Sequence, residues 1–204
     1  MTIRPSSLVK QKAILAAAEH AFLGGGYTLV TMDDIAVRSG VAKQTVYAHF
    51  GSKEALFVEL VTSMTREAGD SVYADQPAIA TLEDLTRTLE HTLGRQLDIV
   101  LTPRLLQLRR LVIGEVPRFP ALARALAEHG PHRAIEAIAA LLTEVNHRGV
   151  LAIPNPSEAA AQLNWLVMGR PLNNAMLLGD DAVPSASKRR THVRQAVATF
   201  LAAH

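Results

Sequence analysis

Between positions 43 and 53 the stretch KQTVYAHFGSK sets Lys43, Gln44 and Thr45 side by side and follows them with Tyr47, His49 and Lys53. A lysine ammonium bonds guanine O6 and N7, a glutamine amide pairs bidentately with adenine, and a threonine methyl meets the thymine methyl. The phenol, imidazole and second ammonium that follow carry donors suited to phosphate oxygens. This is the chemistry of reading a polyanion rather than of breaking a bond. The chain has nine aromatic residues, and Phe22, Tyr27, Tyr47, Phe50 and Phe57 all fall in its first 57 positions. Val46 and Phe50, four apart, are read as inward anchors of a very small core with Phe57 behind them, leaving Tyr47 as a surface phenol.

Such side chains need a rigid element to present them. Thr31 offers a hydroxyl cap with Asp34 three residues on, a variant of the capping box, and starts a short helix whose inward positions are Met32, Ile35 and Ala36. Ser39-Gly40 breaks that helix, glycine permitting positive φ, and a second short helix runs from about Ala42 to Phe50. Small Ala36 lets the two helices cross closely. Two short helices joined by a tight glycine turn make a helix-turn-helix, whose second helix enters the major groove with its N-terminal residues at the base edges. Ser52 then caps a long helix reaching roughly residue 74, with Glu54 in its first turn.

Charge supports a polyanion only weakly. Residues 1–53 carry six Lys/Arg, among them Arg4, Lys10, Lys12 and Arg38, against three acids, whereas the rest carries fifteen against sixteen. With no cysteine, disulfides and thiolate chemistry are excluded, and no metal ligand set or cofactor motif is expected. No apolar run reaches 18 residues and the N-terminus lacks a signal-peptide core, so a cytoplasmic protein without membrane spans is expected. An enzyme is a poor reading, because no nucleophile elbow, phosphate loop or paired-carboxylate motif is present.

Elsewhere apolar residues recur at helical spacing. Residues 8–23 form one helix, ended by Gly24-Gly25-Gly26. After the Asp75-Gln76-Pro77 loop come helices near 81–100, 103–115, 119–128, 131–148, 157–178 and 185–203. The fold class is therefore all-α with about ten helices: a helix-turn-helix domain over 1–53, a linker helix over about 53–74, and a helical regulatory and dimerisation domain over 75–204. His129-Gly-Pro-His132 reads as a loop rather than a metal site, and KRRTHVR (188–194) as the solvated face of the last helix. Asn164, Trp165, Met168 and Asn173 sit on one otherwise apolar helix that Gly169-Arg170-Pro171 should kink; they are candidates for lining a small-molecule pocket or a dimer interface. His91 and Arg95, four apart, are candidate polar contacts from the other side.

The block TMDDIAVRSGVAKQTVYAHFGSKEALF closely resembles the DNA-binding segment of the TetR family of bacterial regulators, through Thr31, Ile35, Ala36, Gly40, Val41, Thr45, Tyr47, Phe50, Lys53, Glu54 and Leu56. With ILAAAEHAFLGGGYTLVTM upstream, the match spans about 12–60. The resemblance implies phosphate contacts from Thr31, Tyr47 and Lys53 and base contacts from Lys43, Gln44 and Thr45. Two departures stand out. Ala42 replaces the serine often found at the start of the recognition helix, and Asp33 places a carboxylate near the DNA. Both would suit a protein-binding adaptor that kept the fold without DNA binding, the alternative reading. RLVIGEVPRFPALARALAEHG through NWLVMGRPLNNAMLLG resembles the AefR-type regulatory domain. What this implies is a homodimer joined through about 157–178 and 185–203, a palindromic operator, and a repressor released by a small hydrophobic or amphipathic effector.

Overall fold

The computed structural model describes residues 5–73 and 79–204; the expected Asp75-Gln76-Pro77 loop lies outside the described residues. Its helices are α1 (Pro5–Gly25), α2 (Met32–Ser39), α3 (Lys43–Phe50), α4 (Lys53–Tyr73), α5 (Leu82–Val100), α6 (Pro103–Glu115), α7 (Pro120–Ala127), α8 (Arg133–His147), α9 (Pro156–Leu178) and α10 (Ala186–Ala202). No strand occurs among the described residues. The all-α expectation is met, with most helix ends within a few residues of those the apolar periodicity gives.

The ends follow the chemistry of their caps. Thr31 Oγ1 accepts from the Asp34 amide, and the Asp34 side chain accepts from the Thr31 backbone, so both halves of the expected capping box are present. Thr81 and Asp84 repeat the arrangement at α5. Asn155 caps α9, with Pro156 at the first helical position, where its missing N–H costs nothing. Gly40 closes α2 at φ 65°, a conformation that disfavours any residue with a Cβ.

His129-Gly-Pro-His132 is helical, not a loop: Glu128–His132 forms a π-helical turn that joins α7 to α8. Proline blocks the regular hydrogen-bond ladder there, and the wider turn accommodates it. Among the described residues no group of three or more His, Asp or Glu side chains gathers as a metal would require.

Two compact units emerge. One comprises residues up to Met64 together with Gln107–Leu126, and the other Thr65–Leu106 together with Ala127–His204. The first therefore takes in 107–126, a stretch that the sequence reading grouped with the regulatory part. Its core is aromatic. Phe22 and Phe57 lie with ring centroids 4.8 Å apart, Tyr27 stacks on Phe57 at 5.1 Å, and Phe119 meets Tyr27 edge-on at 4.7 Å. Offset and edge-on pairs of this kind contribute beyond their buried area. Ile14, Ile35, Val46 and Leu56 are fully buried around them. Phe50, expected inward, is only half-buried.

In the second unit α5 presents Leu85, Leu89, Leu93 and Leu97 at four-residue spacing, one buried stripe. It joins Ile138, Leu142 and Val145 of α8, Leu163 and Val167 of α9, and Val193, Val197 and Phe200 of α10 in a single apolar cluster.

Candidate nucleic-acid interface

Helices α2 and α3 pack through Ile35, Ala36 and Val46, all buried, and this contact aims the outer face of α3. Lys43, Gln44 and Tyr47 are exposed on that face, Tyr47 at 42% of its surface, while Thr45 and His49 are half-buried. The start of α3 carries no side-chain cap at Ala42, although the Thr45 and Val46 amides donate to the Ala42 carbonyl at 2.8 and 3.1 Å.

Lys43 is not a free cation. Its Nζ donates to Asp33 Oδ2 at 2.8 Å, with both side chains 58% exposed, and stands 6.0 Å from the centroid of the Tyr47 ring. The hydrogen bond to Asp33 holds its ammonium above the ordinary lysine range, and the carboxylate's charge adds to the effect. Asp33 thus lies against the reading face, and its carboxylate points at a neighbour rather than at open solvent.

Thr31 is exposed, yet its hydroxyl is already engaged, donating to Asp34 Oδ2 at 2.7 Å. That bond lowers the Asp34 pKa. Lys53 departs furthest from expectation. Its Nζ donates to the carbonyls of Tyr27 and Val30 at 3.0 Å each and approaches that of Thr28 at 3.4 Å. It also lies 4.5 Å from the Tyr27 ring centroid. An ammonium has three protons, and these acceptors absorb them. The side chain expected to reach a phosphate instead ties the loop between α1 and α2 to the start of α4. Thr28 Oγ1 makes a longer contact, 3.5 Å, to Glu115 Oε1 of α6.

The six candidate pocket residues are not brought together. Asn164 and Met168 are buried, at 1% and 3% exposure, whereas Trp165 is 48% exposed and Asn173 is exposed too. On a helix turning 100° per residue, positions 164 and 173 fall on opposite sides. His91 is exposed in a shallow groove of about 250 Å³ shared with Arg87, Glu90, Arg189 and Arg194, and Arg95 is half-buried. Asn164 finds a partner that sequence reasoning missed: Gln96 Nε2 of α5 donates to its Oδ1 at 3.1 Å. Gln96 Oε1 is buried with no hydrogen-bond partner among the described residues. Of KRRTHVR, Arg189 is held inward by Asp98 at 2.5 Å and His192 by the Val167 carbonyl at 2.8 Å, so only part of that segment is a solvated face.

Comparison with known proteins agrees with this geometry. Residues 14–60 match the family model described as bacterial regulatory proteins, tetR family. Residues 87–204 match the one described as AefR-like transcriptional repressor, C-terminal domain. A TetR-family transcriptional regulator from Mesorhizobium loti is 32% identical, superimposes with a TM-score of 0.88 and covers 98% of each chain. The flavonoid-responsive regulator FrrA is 32% identical, with a TM-score of 0.77 over 95% of this chain and 96% of its own. Among curated relatives, the HTH-type regulator EthR of Mycobacterium tuberculosis is 33% identical over 43% of this chain and 41% of its own. The chain spans less than half the length of the curated relatives it matches. Two family models that together cover most of the chain, and a full-length structural match at 32% identity, lead to one assignment: the chain belongs to the TetR family of bacterial transcriptional regulators.

Proposed function

We propose that this chain is a homodimeric DNA-binding repressor, working in the cytoplasm, that a small effector releases from its operator. The observation that carries the reading is the presentation of Lys43, Gln44 and Tyr47 on the exposed face of α3, backed by buried Val46. In a two-fold dimer, paired through α9 and α10, two such helices would meet successive major grooves of a palindromic site about one helical turn of DNA apart. Base contacts fall to Lys43, Gln44 and Thr45, and phosphate contacts to Tyr47, His49 and the uncapped start of α3. Lys53 and Thr31 act one step back, by shaping the loop and the cap that orient α2.

The effector is proposed to be small, uncharged and amphipathic. Gln96 and Asn164 supply a neutral polar pair on two helices whose other buried residues are apolar apart from Thr88 and Thr92, and Gln96 Oε1 can accept from a ligand hydroxyl or N–H. Full-length similarity to a flavonoid-responsive regulator makes flavonoids the first compounds to titrate. A ligand that prefers one spacing of the two heads shifts the population away from DNA.

Fluorescence anisotropy against duplex DNA from upstream of the chain's own gene, with a shuffled duplex as control, tests the reading. Preference for the native duplex, with steep salt dependence, is expected. Equal, weak binding to both duplexes, repeated on other upstream regions, would favour the adaptor reading instead.

A further inference from the structure

The contact between Asp33 and Lys43 joins two residues with opposite relations to DNA. Lys43 opens α3, where side chains meet base edges, and Asp33 lies in the first turn of α2, ten positions earlier. The neighbouring Asp34 spends its carboxylate on the cap, accepting from the Thr31 amide at 2.9 Å and from the Thr31 hydroxyl at 2.7 Å. Asp33 has no part in that cap. Its Oδ2 sits 2.8 Å from Lys43 Nζ, a distance typical of ammonium bound to a phosphate or carboxylate oxygen.

Cations able to serve this face are few. Between positions 31 and 53 the chain holds Arg38, Lys43 and Lys53. Arg38 Nη1 lies 3.5 Å from His20 Nδ1, and Lys53 is bound to loop carbonyls. Lys43 therefore carries much of the attraction that α3 can offer a backbone phosphate, and Asp33 controls whether that charge is available.

We propose that Asp33 is a specificity-determining residue that occupies Lys43 as a built-in substitute for phosphate and so suppresses binding to non-cognate DNA. This rests on the placement of Lys43 at the DNA. On random sequence Lys43 gains only a phosphate, which merely replaces one anion by another and leaves Asp33 facing the polyanion. Little counterion is released in that exchange. On the operator Lys43 gains a base edge as well, and that contact displaces the carboxylate. An exposed pair opens at small cost, so the device biases recognition without locking the protein off DNA.

The test compares the full-length protein with D33N, K43A and the D33N/K43A double variant, each binding a 30-base-pair scrambled duplex across a sodium chloride series, read by fluorescence anisotropy. Asn keeps the shape of Asp33 and its place in the first turn, and circular dichroism melting confirms that each variant folds. D33N is expected to bind the scrambled duplex roughly three- to tenfold tighter at low salt, with a slope of log K against log salt steeper by about one per bound helix. On the K43A background the same change should produce neither effect. Unchanged affinity and slope in D33N, beside a flattened slope in K43A, would overturn the role of Asp33 while leaving Lys43 at the DNA. A rise of equal size on the K43A background would also overturn it, because Asp33 would then repel DNA directly. A D33N/K43A slope equal to that of D33N would instead show that Lys43 is not at the DNA, removing the premise.

Discussion

Lys53 donates to the carbonyl of Tyr27 at 3.0 Å while its ammonium lies 4.5 Å from the ring of that same residue. One side chain at the start of α4 thus holds both the backbone and the aromatic face of a residue 26 positions earlier. The expected outcome of Lys53→Met is a loss of stability of about 1–3 kcal/mol, since charged hydrogen bonds to carbonyls are removed and buried acceptors are stranded. Urea unfolding measures it. DNA affinity should fall for all sequences alike, with the salt slope closer to the parent's than in K43A. A flattening of a full unit would return Lys53 to the phosphate.

Lys43→Ala should weaken operator binding and relax the preference at one base position by about 1–3 kcal/mol. Binding measured against operators altered one base pair at a time locates that position. A uniform loss at every position would assign Lys43 to the backbone alone.

The second capping box makes a prediction about acid. Hydrogen bonds from Thr81, with help from Arg87, lower the Asp84 pKa to about 2. A carboxylate whose folded pKa is depressed adds stability that is complete above its unfolded pKa, near 3.9, and fades as pH falls toward 2. Thr81→Ala should therefore lower stability at neutral pH while making little difference near pH 2. Thermal melts at both pH values check it, and an equal loss at each would mean that the cap acts without the charge.

The Gln96–Asn164 pair separates stability from response. Asn164→Leu leaves the Gln96 side chain wholly unpaired in a buried place and should cost about 1–3 kcal/mol. Replacing both residues by leucine should recover most of that loss and still abolish release from DNA by the effector. A double variant that responds normally would place the effector elsewhere.

Much of the head was legible from sequence because its signals are local. Thr31 and Asp34 are three residues apart, Gly40 stands in the turn, and Val46 faces inward as its spacing requires. The partners of Lys53 were not legible for the opposite reason: its acceptors are backbone carbonyls 23 to 26 positions away, and a backbone carbonyl leaves no mark in a sequence. The pocket candidates are divided by rotation about the helix axis. Asn164 and Trp165 are adjacent in sequence, yet one is buried and the other half in solvent. Gln96 went unnoticed because a lone glutamine among charged neighbours looks solvated, and only the α5–α9 packing shows that it is not. The pairing of Asp33 with Lys43 needed the crossing of two helices, which spacing implies but does not measure.

The first compact unit draws on residues up to Met64 and on Gln107–Leu126, and Phe119 supplies the edge against which Tyr27 rests. During synthesis the N-terminal helices leave the ribosome well before that ring exists. Until residue 126 has emerged, the Tyr27 loop has Phe22, Phe57 and Lys53 against it but lacks the edge that Phe119 supplies. The recognition helix is made early, but the core that steadies its neighbours is completed late, so the nascent head is most exposed to proteases and to mispairing in the interval between.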